Sequence, residues 1–188
     1  MNNLIHFVPE DFTVSFFQKG KDGTLTKEGL MGHWSVFFFY PADFTFVCPT
    51  ELGDMADNYE KFKAENCEVY SVSEDTHFVH KAWADASDTI KKIEFPMVGD
   101  PAGTLARQFG VLDENAGQAY RATFVLNDKA EVVLYEVNDM SIGRNAEELL
   151  RKLRAARFVA EHGDQVCPAK WQPGAETLKP SLDLVGML

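Results

Sequence analysis

The most constraining feature of the sequence is a continuous apolar run at residues 36–40, Val-Phe-Phe-Phe-Tyr, which ends at Pro41. A run that is apolar at every position suits a strand buried on both faces, as a central parallel strand is. A short loop then leads to Cys48 and Pro49, and proline is favoured in the first turn of a helix. The sequence therefore predicts a buried central strand followed closely by a helix that begins at Cys48.

The remaining hydrophobic patterns alternate between strands and helices. The first helix repeats apolar residues on one face, at Leu52, Met55, Tyr59 and Phe62. A strand is predicted over 67–73. Asp75 is predicted to cap a second helix with an apolar side formed by Phe78, Val79, Ala82, Trp83 and Ala86. Later patterns predict a strand near 96–98, a short helix around Leu105, a hairpin of 122–126 with 131–137, and a last helix that ends at Gly163. This order predicts an α/β fold with a mixed sheet flanked by helices.

Two segments fall outside this alternation. Residues 19–29 carry charges and three glycines, which indicates a hairpin or a loop. From residue 164 onward, prolines interrupt the periodicity and the last residues become apolar again. We therefore predict one domain over 1–163 and a C-terminal arm over 164–188 that docks on another surface, such as a second subunit.

Charge and hydropathy exclude several classes of protein. With 18 Lys plus Arg against 29 Asp plus Glu, the 188-residue chain has a net charge of −11, which disfavours nucleic-acid binding. No apolar run approaches the roughly 20 residues that a membrane-spanning helix needs. The N-terminal residues show no secretory signal, and an odd, small number of cysteines is no disulfide framework. A cytoplasmic location is therefore expected.

The three cysteines, Cys48, Cys67 and Cys167, are the candidates for chemistry. Free N–H groups at a helix start stabilise an anion, so a thiolate at Cys48 competes with the alternative of a small buried apolar residue. Cys67 is interpreted as an inert core thiol and Cys167 as a reachable one. No Cys-x-x-Cys pair exists, which disfavours a dithiol oxidoreductase and a zinc ribbon. His77 and His80 are interpreted as ordinary surface or core histidines, so no metal site is predicted.

Residues 41–51, PADFTFVCPTE, contain Pro, three residues, Thr, two residues and Cys, a pattern that resembles the peroxiredoxin signature. The resemblance extends over nearly the whole chain. It includes DTHFVHKAW at 75–83, RATFV at 121–125, VCPAKW at 166–171 and PSLDLVG at 180–186. These motifs are similar to those of typical two-cysteine peroxiredoxins, and most of all to bacterial alkyl hydroperoxide reductase C subunits. The resemblance implies a thioredoxin-like fold and a thiol-dependent peroxidase of hydrogen peroxide and organic hydroperoxides.

The resemblance also assigns roles to residues around the first cysteine. Cys48 would be the peroxidatic cysteine, whose thiolate attacks a hydroperoxide and becomes a sulfenic acid. Thr45 would hydrogen-bond the thiolate and the peroxide, and Pro41 would shield the site from water. Arg121 would place a permanent positive charge beside the sulfur, although taken alone it reads as a surface charge before a strand.

Three further residues are assigned in the same way. Glu51 and Arg144 would form an ion network around the catalytic arginine, although either could equally be a surface charge. Cys167 would resolve the sulfenic acid as a disulfide with Cys48. In the family this bond joins two subunits, and the sequence leaves an intrachain bond open.

Two motifs of oxidation-sensitive members are missing. Where those members carry Gly-Gly-Leu-Gly, residues 92–96 read Lys-Ile-Glu-Phe-Pro. Where they carry Tyr-Phe in the tail, residues 184–188 read Leu-Val-Gly-Met-Leu. Both motifs keep the sulfenic acid apart from the resolving cysteine. Their absence predicts fast resolution and little further oxidation to sulfinic acid.

The resemblance finally implies partners. The protein would bind no cofactor itself and would receive electrons from NADH through a flavoprotein disulfide reductase, with thioredoxin as the second candidate donor. It would form a homodimer that assembles into a ring of five dimers. Two rival functions are a holdase chaperone that does not need Cys48, and a peroxide sensor that passes its disulfide to a target protein.

Overall fold

The computed structural model of the chain describes residues 3–187. The strands are β1 Thr13–Gln18, β2 Lys21–Thr26, β3 Trp34–Phe39, β4 Cys67–Ser73, β5 Met97–Gly99, β6 Leu112–Asp113, β7 Gln118–Ala119, β8 Arg121–Leu126 and β9 Val132–Asn138. The α-helices are α1 Cys48–Ala64, α2 His77–Ala86, α3 Asp88–Lys91, α4 Thr104–Gln108 and α5 Ala146–Glu161. None of the helices in this part of the chain is long and apolar enough to cross a membrane.

Seven strands form one mixed sheet in the order β2-β1-β5-β4-β3-β8-β9. The strands β3, β4 and β5 run parallel, whereas β8 is antiparallel to β3 and forms a hairpin with β9. All six residues of β3 are buried, because this strand has neighbours on both edges and is covered on both faces. The predicted α/β fold with a mixed sheet is confirmed, and the apolar run marks its central strand.

Helix α1 forms where the sequence predicts it. The apolar face is buried at Leu52, Met55, Tyr59 and Phe62, which recur at the three- and four-residue spacing of a helix. Pro49 lies in the first turn, and Glu51 adds a negative charge near the positive end of the helix dipole. Because α1 follows β3 after a short loop, Cys48 lies beyond the carboxyl end of the central strand.

Three local predictions are incomplete or wrong. The hairpin predicted around residues 19–29 is present, but its first strand, β1, was not predicted. Helix α2 buries His80, Trp83 and Ala84, whereas Phe78, predicted on the buried side, is 71% exposed. The predicted cap is also wrong, because the cap position belongs to the next residue and the Asp75 carboxylate accepts the backbone N–H of Asp43 at 2.8 Å.

The chain divides into two compact units between Ala146 and Glu147. The first unit contains the sheet and helices α1 to α4. In the second, the ring of Trp171 lies 5.0 Å from that of Phe158, and its backbone carbonyl accepts Arg151 Nη1 at 3.0 Å. The C-terminal segment therefore has an anchor on α5, within its own unit. The predicted domain boundary after residue 163 stays a prediction.

Candidate active site

The site is built around Cys48, the first residue of α1, whose side chain is fully buried. The nearest charged group is Arg121, whose Nη1 lies 3.4 Å from the Cys48 Sγ. The helix start and the guanidinium both favour a negative charge on the sulfur. The structure therefore brings together Cys48 and Arg121, two of the residues that the sequence predicts for the site.

Arg121 reaches the sulfur because β8 runs antiparallel beside β3. Phe39, the last residue of β3, pairs with Ala122, so Arg121 lies next to the end of the central strand. Its Nε donates to the backbone carbonyl of Met140 at 2.6 Å, and its Nη1 donates to Glu51 Oε2 at 2.7 Å. Burial by itself lowers the pKa of Arg121, but the Cys48 sulfur and the Glu51 carboxylate raise it above the usual value.

Glu51 joins two arginines in a buried ion network. Its Oε1 accepts Arg144 Nε at 2.8 Å and the Arg144 backbone N–H at 2.9 Å, while its Oε2 accepts Arg144 Nη2 at 3.0 Å. Burial by itself raises the pKa of the Glu51 carboxyl, but Arg144 and, more weakly, Arg121 hold that pKa below its usual range. Glu51 is therefore an anion that fixes the guanidinium beside the sulfur.

Arg144 is held in turn from two further sides. Its Nη1 donates to the backbone carbonyl of Ala122 at 2.8 Å, and its guanidinium carbon lies 3.4 Å from the centre of the Phe38 ring. Both contacts come from strands of the central sheet. The network thus connects the sheet to the first turn of α1, and its fixed geometry limits the movement of Arg121.

The loop before α1 carries the two other predicted residues. Pro41 is buried, and Thr45 is partly exposed with its hydroxyl donating to the backbone carbonyl of Ala42 at 2.9 Å. The lone pairs of that hydroxyl remain available to accept a hydrogen bond. Between Ala42 and Thr45 lies Phe44, whose φ of 54° is unusual for a bulky residue. The roles of Thr45 and Pro41 toward the sulfur stay predictions.

Asp43 and His80 are two buried polar residues whose importance the sequence did not indicate. Both side chains are at most 1% exposed, and His80 Nδ1 lies 2.7 Å from Asp43 Oδ2. The spacing of His80 on its helix does not reveal a hydrogen bond to Asp43, because the two residues are 37 positions apart in the sequence. The carbonyl of Met140 was missed for a stronger reason, since a backbone acceptor has no sequence signature.

Cys167 belongs to the second unit and has different surroundings. It is half-buried, and its Sγ lies 3.8 Å from the backbone carbonyl of Ala155. Burial raises the pKa of the Cys167 thiol, and the positive charge of Arg151 partly offsets this. Within residues 3–187, Cys48 and Cys167 are not joined in a disulfide. The resolving role of Cys167 stays a prediction.

No group of three or more His, Cys, Asp or Glu side chains within residues 3–187 could hold a metal ion. His80, one of the two histidines considered from the sequence, instead forms hydrogen bonds in the core. Cys67 is buried at the start of β4, which agrees with its interpretation as a core thiol.

Comparison with protein families gives two matches. Residues 7–135 match the AhpC/TSA family, and residues 155–188 match the C-terminal domain of 1-Cys peroxiredoxin. Alkyl hydroperoxide reductase C of Salmonella typhimurium is 52% identical over 186 residues, which cover 99% of this chain and 100% of that protein. The protein of the same name from Bacillus subtilis is 51% identical over 177 residues, covering 94% and 95%.

Solved structures agree with the sequence matches. The crystal structure of Enterococcus faecalis AhpC has a TM-score of 0.87 at 59% identity, covering 89% of this chain and 100% of that one. The reduced 2-Cys peroxiredoxin of Plasmodium vivax has a TM-score of 0.91 at 27% identity, covering 97% and 96%. The similarity therefore includes both units of the chain.

Proposed function

The chain belongs to the AhpC/TSA family, and we propose that it reduces hydrogen peroxide and organic hydroperoxides with the Cys48 thiolate as nucleophile. It is a peroxiredoxin with a thioredoxin-like fold. The observation that carries the proposal is the 3.4 Å contact between Arg121 Nη1 and the buried Cys48 Sγ. A buried thiolate next to a fixed guanidinium is arranged for attack on an electrophile whose leaving group becomes negatively charged.

In the first step the Cys48 thiolate attacks the terminal oxygen of the hydroperoxide. A sulfur–oxygen bond forms and the oxygen–oxygen bond breaks, so the sulfur loses two electrons and the peroxide gains them. The leaving oxygen takes up one proton and departs as water or an alcohol. Arg121 stabilises the charge that moves onto the oxygens, while the Thr45 hydroxyl accepts a hydrogen bond from the peroxide and Pro41 keeps bulk water out.

In the second step the thiol of Cys167 attacks the sulfenic acid of Cys48 and releases water, which leaves a disulfide. We place this bond between two subunits, with an intrachain bond as the alternative. Because the Cys48 side chain is fully buried, the first turn of α1 must unwind before the sulfurs meet. Hydrogen exchange should then be faster at residues 48–52 in the disulfide form, and equal protection in both forms would contradict the unwinding.

The peroxidase needs a partner reductase to return the disulfide to two thiols. We propose a flavoprotein disulfide reductase that draws electrons from NADH, with thioredoxin as the second candidate. The chain contains no Cys-x-x-Cys pair with which it could supply those electrons itself. An odd, small number of cysteines fits the reducing cytoplasm, which is the proposed location.

We further propose that the chain forms dimers that assemble into a ring of five. In the first unit, Phe44, Phe46 and Phe78 are 57%, 92% and 71% exposed. In the second, Leu182, Val185 and Met187 are 90%, 76% and 77% exposed. Large exposed apolar side chains in such numbers favour coverage by another protein surface.

The proposed function is tested by one equivalent of hydrogen peroxide followed by a denaturing gel without reductant. Wild type, Cys48→Ser, Cys167→Ser and the control Cys67→Ser are compared. A disulfide-linked dimer in wild type and Cys67→Ser, and in neither other variant, is the expected result. A monomer whose Cys48 thiol is consumed would indicate an intrachain bond. An unreactive Cys48 would contradict the peroxidase and favour a holdase chaperone.

A further inference from the structure

A chain of buried hydrogen bonds connects the loop that leads to Cys48 with helix α2 and strand β5. Asp43 Oδ2 is 2.7 Å from His80 Nδ1, and Asp43 Oδ1 accepts the Tyr40 hydroxyl at 2.7 Å. On the far side of the imidazole, His80 Nε2 lies 3.1 Å from the backbone carbonyl of Val98 in β5. The peroxidase step described above uses none of these groups. A buried ionisable pair without a role in that step therefore needs a separate explanation.

The geometry fixes the number of protons in this chain. The Val98 carbonyl can only accept, so His80 Nε2 must carry a hydrogen. The contact between His80 Nδ1 and Asp43 Oδ2 at 2.7 Å needs one more hydrogen between the two atoms. Burial and the charge of Asp43 raise the pKa of Tyr40 far above its usual value, so the phenol remains a donor.

The loop between β3 and α1, which contains Asp43, includes one residue with an unfavourable backbone conformation. Phe44 has a φ of 54°, in the left-handed region, which is unfavourable for a bulky residue. Its neighbour Asp43 is fixed at both ends, because its backbone N–H donates to Asp75 Oδ2 at 2.8 Å and its carboxylate is bound by His80. The ring of Trp83, also on α2, lies 5.8 Å from the Phe44 ring. Helix α2 therefore holds the loop through two contacts, the buried hydrogen bond of His80 to Asp43 and the ring contact of Trp83 with Phe44.

We propose that the Asp43–His80 pair positions the loop so that the Thr45 hydroxyl meets the peroxide at Cys48. Both are positioning residues, since neither touches the sulfur. The link is short, because Thr45 donates to the carbonyl of Ala42, the residue that precedes Asp43. The inference rests on the proposed peroxidase function. It adds to that function a buried, hydrogen-bonded pair that positions the loop carrying Thr45.

The test compares two reactions of Cys48 in the full chain. The first is oxidation by hydrogen peroxide, which needs the positioned hydroxyl. The second is alkylation by iodoacetamide, followed at Cys48 by mass spectrometry, which needs only the thiolate. A displacement of about 1 Å in a reacting group can lower a rate by about 100-fold. His80→Leu should therefore slow the peroxide reaction about 10- to 100-fold and change the alkylation rate by less than about 3-fold.

Two further variants separate positioning from general stability. His80→Asn keeps a neutral donor near Asp43 and should recover most of the lost peroxide rate. His77→Leu alters a partly exposed histidine on the same helix and should leave both rates unchanged. If His80→Leu lowers both rates equally, or neither, the proposal is wrong. If wild-type Cys48 reacts no faster than free cysteine, the peroxidase function itself fails, and the inference fails with it.

A measurement on the wild type covers the case in which His80→Leu does not fold. Proton NMR of the full chain should show a hydrogen between His80 Nδ1 and Asp43 Oδ2 that is protected from exchange with solvent. The absence of such a protected hydrogen would mean that the pair is not hydrogen-bonded, and would overturn the proposal without any variant.

Discussion

The surroundings of Cys48 and Cys167 differ in almost every physical respect. Cys48 is fully buried at a helix start and touches a guanidinium that belongs to a network of three buried charges. Cys167 is half-buried in the C-terminal segment, and its sulfur faces the carbonyl of Ala155. The first arrangement places a permanent positive charge beside a buried sulfur. In the second, burial raises the pKa of the thiol and the positive charge of Arg151 partly offsets this.

The contrast follows from what each proposed step requires. Attack on a peroxide is fast when the nucleophile and the charges that stabilise the transition state are already in place. Disulfide formation instead requires two sulfurs to approach, so one of them is better placed on a segment that can move. The buried site of Cys48 and the partly exposed site of Cys167 are therefore complementary parts of the proposed cycle. Four predictions test this difference, from the largest expected effect to the smallest.

The first prediction compares a buried ion pair with an exposed one. Glu51→Gln leaves two buried arginines without their counter-charge and should lower the free energy of unfolding by about 3–5 kcal/mol. Asp164→Asn removes the partner of Lys179 in the C-terminal segment, where both side chains are more than half exposed, and should leave the free energy of unfolding nearly unchanged. Urea unfolding measures both variants. Equal losses in the two variants would contradict the difference between the buried and the exposed ion pair.

The second prediction concerns the charge beside the sulfur. Arg121→Gln keeps hydrogen-bond donors but removes the positive charge, so the second-order rate of Cys48 oxidation should fall about 100- to 1,000-fold. Stopped-flow oxidation by hydrogen peroxide measures this rate. The later formation of the disulfide should keep its wild-type rate, because Cys167 does not contact Arg121 in the proposed mechanism. A rate of oxidation within 3-fold of wild type would remove Arg121 from the mechanism.

The sequence alone predicts regular elements whose signal is local. The β3 run and the α1 periodicity were sufficient, because burial on two faces or on one helical stripe leaves a direct pattern. The buried face of helix α2 was predicted only in part, because Trp83 is buried as predicted, whereas Phe78 is exposed and His80 is buried against Asp43. That choice depends on a partner on another element, which no single helix can reveal.

The site shows the same limit. From its own neighbours, Arg121 reads as a surface charge, and only the family resemblance places it at the sulfur. The structure adds the reason, since the pairing of β8 with β3 brings the two together across 73 positions of sequence. The Met140 carbonyl that orients Arg121 Nε is a backbone group, and any residue type would provide it.

The third prediction tests the Thr45 hydroxyl in the loop that precedes α1. Thr45→Val replaces the hydroxyl by a methyl group of similar shape and should slow oxidation of Cys48 about 10- to 100-fold. Thr50→Val is the matched control. The Thr50 hydroxyl also donates to a backbone carbonyl three residues earlier, that of Val47, but it is exposed and lies in the first turn of α1. The same stopped-flow assay applies. If both variants lose activity equally, the effect belongs to the helix start and not to the Thr45 hydroxyl.

The last prediction separates the two cysteines by pH. Burial raises the pKa of Cys167, so its thiolate fraction grows about tenfold with each unit of pH below that pKa. The rate of disulfide formation after Cys48 oxidation should rise accordingly, as followed by rapid quenching. Arg151 lowers the same pKa, so Arg151→Gln should slow this step about 2- to 3-fold at neutral pH and leave Cys48 oxidation unchanged. A resolution rate independent of pH would show that unwinding around Cys48, and not the Cys167 thiol, limits the second step.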